Sequence, residues 1–167
     1  MRGENPYIIT PLTGENGFYG RTDILRFVHN TLASPYQRVI VLYGQRRIGK
    51  TSLLYQLSRP HHIPPGFEPI YFDLQGRAQQ TLSEVLYGLA REVAKKLDLP
   101  RPRQASFRDE TYFQDQFLPQ AYQVLGKRQL LFLIDEFDVL GEAPATRRAA
   151  IETFFPYLQE LIHDEGR

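Results

Sequence analysis

The stretch GQRRIGKT at residues 44–51 decides how the rest of the chain is interpreted. It fits the pattern G-x-x-x-x-G-K-[S/T], which is typical of a loop that holds phosphate groups, at every fixed position. Gly44 and Gly49 allow backbone angles that turn successive N–H groups inward, and such N–H groups form a concave anion site. The loop follows the apolar run of residues 38–43 and leads into a helix predicted from Lys50. Because the positive end of a helix dipole favours bound phosphate, the stretch predicts a site for a nucleoside di- or triphosphate.

The side chains of this loop, a Walker A motif, have separate predicted roles. Lys50 supplies a point charge to the β- and γ-phosphates, and the Thr51 hydroxyl is placed to ligate Mg²⁺. Arg46 and Arg47 either contact phosphate or point to solvent, as side chains at variable loop positions usually do. The candidate nucleotide-binding residues of the motif are Gly44, Gln45, Arg46, Arg47, Ile48, Gly49, Lys50, Thr51 and Ser52.

A second candidate site lies at the end of the apolar run of residues 130–134, which is followed by Asp135 and Glu136. Residues 130–136 have the pattern of a Walker B strand with an acidic pair at its tip. Asp135 is predicted to hold the water shell of Mg²⁺, and Glu136 to orient and polarise the attacking water as general base. The alternative is a pair of helix-capping acids after a core strand. Asp138 is either a further contact to Mg²⁺-bound water or a surface acid.

Hydrophobic periodicity predicts an alternation of helices and strands along the chain. The predicted helices cover residues 21–32, 50–58, 82–97, 109–125 and 146–162, and the predicted strands cover residues 38–43, 69–74 and 129–134. Pro119 is expected to interrupt the fourth helix. Strands that alternate with helices imply a mostly parallel sheet with helices on both faces, and ligands on such sheets bind beyond the carboxyl ends of the strands. Asp73 and Gln75, at the end of the second strand, are weaker candidates at that edge.

The composition is that of a globular domain: 167 residues, 42% hydrophobic, 23% charged, a net charge of +1 and no cysteine. It excludes a disulfide scaffold, a Cys-ligated metal and a thiol nucleophile. A nearly neutral domain has no general attraction for nucleic acid or anionic lipid. No apolar stretch is long enough to span a membrane and none forms a secretory signal core, so we expect a cytoplasmic protein with no membrane contact.

Two further groups of polar residues have weaker functional interpretations. Arg101, Arg103 and Arg108 form either a phosphate-binding strip or part of a solvated linker, and the linker is favoured because Phe107 is the only aromatic residue of this segment. The pair of histidines at residues 61–62 lacks a third ligand nearby, so no metal site is expected there.

The motifs together resemble the P-loop ATPases of the AAA+ and STAND group. The stretch GQRRIGKTSLL at residues 44–54 is similar to the loop GxRRxGKTSLL of prokaryotic families in that group. The stretch FYGRTDIL at residues 18–25 resembles the F-x-G-R-x-x-x-L element that precedes the loop in these families and lines their adenine pocket. The resemblance therefore implies that Tyr19, Gly20 and Arg21 bind nucleotide. It divides the chain into an adenine-side arm and helix at residues 1–36 and an incomplete P-loop NTPase core at residues 37–167.

The fold that the resemblance implies is a three-layer α-β-α P-loop NTPase with a RecA/AAA+-like parallel sheet in the order 5-1-4-3-2. In that order the strand that carries the sensor residue lies between the Walker A and Walker B strands. The sequence stops at Arg167 before this strand, so we expect the N-terminal part of a longer protein. Without that strand, the Walker A and Walker B strands must pair directly or leave open backbone edges, which invite dimerisation.

The function implied by the resemblance is Mg²⁺-dependent binding and hydrolysis of ATP, which drives a conformational switch in signalling, regulation or defence. Mg²⁺ is the expected cofactor, ATP or ADP the ligand, and a second copy of the chain or another protein the expected partner. Two alternatives remain open. One is a DNA-loading AAA+ ATPase, and the other is an interaction module that binds nucleotide without hydrolysing it.

Overall fold

The computed structural model describes residues 21–34, 39–45, 48–77, 79–136 and 149–164. These residues form a mixed α/β structure with five α-helices and one parallel sheet of two strands. The elements are α1 (Thr22–Leu32), α2 (Lys50–Leu57), β1 (Phe67–Asp73), α3 (Leu82–Lys96), α4 (Leu118–Leu125), β2 (Gln129–Asp135) and α5 (Ala149–Asp164). The chain divides into two compact units, one ending at Pro65 and the other beginning at Gly66. None of the helices in the described ranges is both long and apolar enough to cross a membrane.

The first unit contains α1 and α2, and both helices lie where the sequence predicts them. α2 begins at Lys50, within the G-x-x-x-x-G-K-[S/T] pattern of residues 44–51, and buries the three leucines predicted to face inward, Leu53, Leu54 and Leu57. A 3₁₀ turn over Pro60–His62 follows the helix, because proline cannot continue it.

The predicted strand over residues 38–43 is absent from the part of this segment that the structure describes. Residues 39–45 have no regular secondary structure, and the side chains of Val39, Val41 and Tyr43 are 57%, 47% and 87% exposed. A strand is stabilised by hydrogen bonds to a neighbouring strand, and no described residue pairs with this segment. The β-branched residues favour an extended backbone locally, but this preference does not form a strand without such a partner.

The second unit is built on the parallel pairing of β1 with β2. The register places Phe67 opposite Gln129 and Asp73 opposite Asp135. Parallel neighbours need a long crossover, and here it contains α3, a 3₁₀ helix over Gln104–Arg108, a π-helix over Phe113–Phe117 and α4. Both strands therefore end at the same edge, as the sequence predicts for a β-α-β arrangement.

Pro69 shows that β1 forms one edge of this sheet. Gln129 N donates to Gly66 O at 2.8 Å, and Leu74 N donates to Asp135 O at 3.1 Å, so the even-numbered residues of β1 turn their backbone groups toward β2. The backbone of Pro69 consequently faces away from β2. Its missing N–H therefore removes no hydrogen bond between the two strands. Any further strand of this sheet must join it on the side of β2.

One face of the sheet packs against the helices of the second unit. Ile70, Phe72 and Leu74 are buried in a cluster with residues of α3, α4 and α5. Phe107 also belongs to this cluster and is only 1% exposed, so the segment interpreted as a solvated linker contains a core residue. The aromatic ring of Phe107 contacts those of Tyr87 and Tyr112, with centroid distances of 5.6 and 5.1 Å. Burial of this ring fixes the connector to α3.

The predicted interruption at Pro119 is confirmed. Pro119 lies in the first turn of α4, where its missing N–H is no loss, and the π-helix immediately precedes it. Leu118 N donates to Phe113 O, a bond that spans one residue more than an α-helical bond. α4 ends at Gly126, whose φ of 62° makes it the expected helix stop.

Candidate functional site

The phosphate-binding pattern forms a tight turn at the N-terminus of α2. Gly49 precedes the helix in the left-handed region, with a φ of 87°, a conformation that favours glycine. A Cβ atom on Gly44 would lie 2.9 Å from Cγ2 of Ile48, so the start of the loop closely approaches its end. Ile48 N donates to Gln45 O at 3.4 Å and closes the turn. Glycine is thus favoured by the backbone at position 49, whereas at position 44 a larger residue would meet the side chain of Ile48.

The side chain of Lys50 folds back over this turn. Its Nζ donates to the carbonyl oxygens of Gly44 at 2.8 Å and of Gln45 at 3.3 Å. A lysine at the first position of α2 therefore brings its ammonium group to the opposite end of the loop. This position concentrates positive charge at a helix N-terminus, where an anion binds.

Arg21 is a second cation at the loop. Its Nη2 donates to Ile48 O, and a Cβ atom on Gly49 would lie 3.4 Å from the same nitrogen. The structure therefore brings together Arg21 and the loop, which are far apart in the sequence. Thr51 and Ser52 follow in the first turn of α2, and Ser52 is 8% exposed.

Several predicted site residues lie outside the described ranges, so their predicted roles stay predictions. They are Tyr19, Gly20, Arg46, Arg47 and Asp138.

The acidic candidates lie in the second unit, at the carboxyl edge of the sheet. Asp135 ends β2 and is 5% exposed, which is rare for a carboxylate unless it is hydrogen-bonded. Tyr71 Oη donates to Asp135 Oδ2 at 2.9 Å, and the backbone N–H of Glu136 donates to Asp135 Oδ1 at 3.0 Å. Among the described residues, each carboxylate oxygen therefore accepts one hydrogen bond, and an ionised carboxylate oxygen has two lone pairs.

Asp73 stands opposite Asp135 in the register and ends β1. Its Oδ1 accepts a hydrogen bond from Gln75 N at 2.7 Å, so Asp73 forms a local turn with its own side chain. Arg77 Nε donates to Asp73 O at 2.9 Å, and the guanidinium carbon lies 4.7 Å from the centre of the Phe72 ring. The turn after β1 is thus held by both a carboxylate and an arginine.

Glu136 has an unusual backbone conformation. Its φ is 54°, and Asp98 is the only other residue besides glycine with a positive φ in the described ranges. The left-handed region costs an L-residue about 1 kcal/mol, so the turn after β2 constrains the backbone of Glu136 as the end of α3 constrains that of Asp98. Glu136 is the residue assigned as general base, and the turn places it directly beyond the carboxylate of Asp135.

Sequence reasoning missed Tyr71 and Arg77. Tyr71 was part of a predicted strand, and its polar contact is made to a residue far along the chain. The sequence signal that could have found Tyr71 is the alternation of side chains along the strand, which puts Tyr71 and Asp73 on the same face of β1. Arg77 follows the turn Gln75-Gly76, which contains no motif that indicates its role.

The other polar groups of interest have structural partners. His62 Nδ1 donates to Gln56 O at 2.9 Å, and the rings of His61 and His62 contact each other at a centroid distance of 4.1 Å. Arg101 Nη2 donates to Tyr87 Oη at 3.5 Å, while Arg103 and Arg108 are exposed. Within the described residues there is no group of three or more His, Cys, Asp or Glu side chains that could hold a metal ion by itself.

A scan of protein-family models, a search of curated proteins and a search of solved structures found no match to this chain.

Replacement of Glu136 by glycine tests whether the backbone at this position is strained. Glu136→Gly is expected to raise the free energy of unfolding by about 1 kcal/mol, because glycine adopts the left-handed conformation without a Cβ penalty. The measurement is urea unfolding followed by circular dichroism.

Asp98→Gly is the matched control for this substitution. Asp98 follows α3 with a φ of 54°, and Leu99 N donates to Ala94 O at 2.8 Å in the helix-ending motif that glycine normally completes. Both variants should gain similar stability, since both relieve the same backbone penalty. A loss of stability in Glu136→Gly alone would show that the Glu136 side chain holds the fold and is not there for function.

Proposed function

We propose that this chain binds the phosphates of ATP or ADP through residues 44–52 and hydrolyses ATP with Mg²⁺ as part of a nucleotide-driven switch. The observation that carries the proposal is the turn at the start of α2, in which Gly49 is left-handed and Lys50 Nζ is held over the loop. This arrangement combines a helix N-terminus, a left-handed glycine and an ammonium group at one place. A polyphosphate is the ligand that uses all three.

The binding step exchanges one set of acceptors for another. Lys50 Nζ is held by two neutral carbonyl oxygens of the loop, and phosphate oxygens are stronger, charged acceptors. On binding, the ammonium group transfers its hydrogen bonds from Gly44 and Gln45 to the phosphates. Arg21, whose guanidinium contacts Ile48 O, makes the same kind of exchange in the proposed complex, since it too is bonded to a neutral carbonyl.

The donors available for Mg²⁺ are oxygens, which this ion prefers. Mg²⁺ is usually held by one or two side chains together with substrate phosphates and several waters. The side chains that the motifs predict for this role are Thr51, in the first unit, and Asp135, in the second. Besides its bonds from Tyr71 and Glu136, Asp135 has a second lone pair on each oxygen. When bound, Mg²⁺ would neutralise the charge that develops on the transferred phosphoryl group.

In the proposed reaction, Glu136 accepts a proton from the attacking water. Its position after Asp135 and its left-handed backbone support this role, because such strain is retained where geometry matters for chemistry. Asp135 supplies fixed negative charge next to it, and the N–H bond from Glu136 to Asp135 ties the two residues together. The switch itself follows from the loss of the γ-phosphate, which releases the contacts that ordered the bound state.

A nucleotide-binding module without turnover is the second candidate. The specific observation in its favour is that Gly49 and Lys50 at the start of α2 would support phosphate binding without any contribution from the acidic pair. A DNA-loading ATPase has less support. Its basic strip would be Arg101, Arg103 and Arg108, and the chain as a whole carries a net charge of only +1.

The substitutions Lys50→Ala and Glu136→Gln separate binding from hydrolysis. Lys50→Ala should weaken ATP binding about 10- to 100-fold, the value of one charged hydrogen-bonding group. Glu136→Gln should keep ATP affinity and slow single-turnover hydrolysis about 100-fold or more, as expected for loss of a general base. Binding is measured by calorimetry and hydrolysis by release of phosphate.

Two variants at exposed positions serve as matched controls. Lys127→Ala removes a lysine and Glu160→Gln neutralises a glutamate, both at exposed positions outside the motifs, and both should behave like the unaltered chain. Unchanged binding in Lys50→Ala would refute the site. Tight binding with no hydrolysis by the unaltered chain would instead support the second candidate.

For the fold, we propose that the sheet extends beyond β2 into the three-layer arrangement of a P-loop NTPase. Pro69 blocks growth on the side of β1, whereas the backbone groups of Leu130, Phe132 and Ile134 face away from β1 and can accept another strand. In the strand order implied by the resemblance, the Walker B strand also has a neighbour on that side.

Amide hydrogen exchange tests this extension strand by strand. If another strand pairs with β2, the amides of Leu130, Phe132 and Ile134 should exchange as slowly as those of Leu131 and Leu133, because both sets are hydrogen-bonded. Fast exchange at the three even-numbered positions, with slow exchange at the odd-numbered ones, would show that β2 is an edge strand.

A further inference from the structure

Tyr71 lies in the middle of β1, on the strand next to Asp135. Its register partner is Leu133, and Asp135 follows two residues later on the same face of β2. Diagonal neighbours on one face of a sheet are within reach of an aromatic side chain. The tyrosine ring spans this diagonal, and its hydroxyl donates to Asp135 Oδ2 at 2.9 Å.

We propose that Tyr71 is the positioning residue for Asp135: its hydroxyl fixes the plane of the carboxylate that the proposed function assigns to Mg²⁺. The expected effect on Mg²⁺ binding rests on that proposed function. The orientation of the carboxylate rests on the hydrogen bond from Tyr71 of β1 to Asp135 of β2.

The orientation of a carboxylate is otherwise weakly determined. The terminal torsion of aspartate has a broad distribution, so a single hydrogen bond leaves the group free to rotate. Here the two oxygens have different donors, the Tyr71 hydroxyl on Oδ2 and the Glu136 N–H on Oδ1. Two donors on opposite oxygens define the plane and direct the remaining acceptor site of each oxygen.

Loss of the hydroxyl has two consequences. The carboxylate gains rotational freedom, so its bond to Glu136 N–H weakens. A ligand whose orientation is not fixed also binds metal less tightly, and residues that orient metal ligands in this way typically contribute about 10- to 100-fold to metal affinity. The Tyr71 hydroxyl is therefore expected to affect the Mg²⁺ requirement much more than the affinity for nucleotide.

Tyr71→Phe tests the inference in the nucleotide-free chain. The variant keeps the ring and removes only the hydroxyl. The amide proton of Glu136 should shift upfield and exchange faster with solvent, as measured by ¹H–¹⁵N NMR, because its acceptor is no longer held. An unchanged Glu136 amide would overturn the inference, and this readout requires no nucleotide or metal.

The second readout is the Mg²⁺ concentration that gives half-maximal ATP hydrolysis. We expect it to rise about tenfold in Tyr71→Phe, with the KM for ATP at saturating Mg²⁺ within twofold of the unaltered chain. A purely structural role would lower the fraction of folded protein and leave the Mg²⁺ requirement unchanged, and that result would also overturn the inference. In the Asp135→Ala background, Tyr71→Phe should have no further effect on the Mg²⁺ requirement.

Tyr157→Phe is the control variant, since it removes a buried hydroxyl in the same unit. Burial, with the charge of Asp115 adding to it, raises the pKa of Tyr157 to about 12, so this hydroxyl stays protonated under the assay conditions. The variant should leave both the Glu136 amide and the Mg²⁺ requirement unchanged. If the unaltered chain does not bind ATP with Mg²⁺, the proposed function fails by that measurement, while the Glu136 amide still decides whether Tyr71 orients Asp135.

Discussion

The second unit depends on the parallel pairing of β1 with β2. This pairing has one register, and the register determines which residues share the carboxyl edge of the sheet. It sets Asp73 opposite Asp135 and leaves Tyr71 diagonal to Asp135. A shift of one residue would turn each side chain to the other face and separate the hydroxyl from the carboxylate. The buried row of Ile70, Phe72 and Leu74 prevents that shift, because it would bring the row out of the core.

The first unit depends on a constraint of a different kind, the backbone of the turn before α2. The residue before α2 is left-handed, and glycine at position 49 adopts this conformation without strain. Lys50 then closes the turn with bonds to Gly44 and Gln45. These bonds pair the ammonium group with two neutral carbonyl oxygens of the loop.

Much of the local structure could be predicted from the sequence. Helices α2 and α3, strands β1 and β2 and the break at Pro119 each have a strong local signal, either periodicity or a residue with restricted backbone angles. The segment at residues 38–43 is predicted as a strand for the same reason, and over its described residues, 39–43, that prediction is wrong because the pattern gives no information about a partner strand. Phe107 was misassigned because a single aromatic residue in a polar connector has no periodicity to indicate burial.

The candidate site was predictable where chemistry follows a fixed spacing, and less so where contacts join distant residues. The motif spacing identified Lys50, Asp135 and Glu136 as candidates. It gave no indication of the hydrogen bond from Tyr71, which depends on the register of two strands far apart in the chain. The left-handed conformation of Glu136 was likewise invisible, because glutamate has no preference for that region.

The central claim is that the turn before α2 is a phosphate-binding site. The most direct measurement is a titration of the ¹⁵N-labelled chain with ATP in the presence of Mg²⁺, followed by NMR of the loop amides. The account predicts large downfield shifts at Gly49, Lys50 and Thr51 with ATP and ADP and small shifts with AMP, which lacks the phosphates that the turn would hold. Amides that do not shift at millimolar ATP in a folded sample would contradict it.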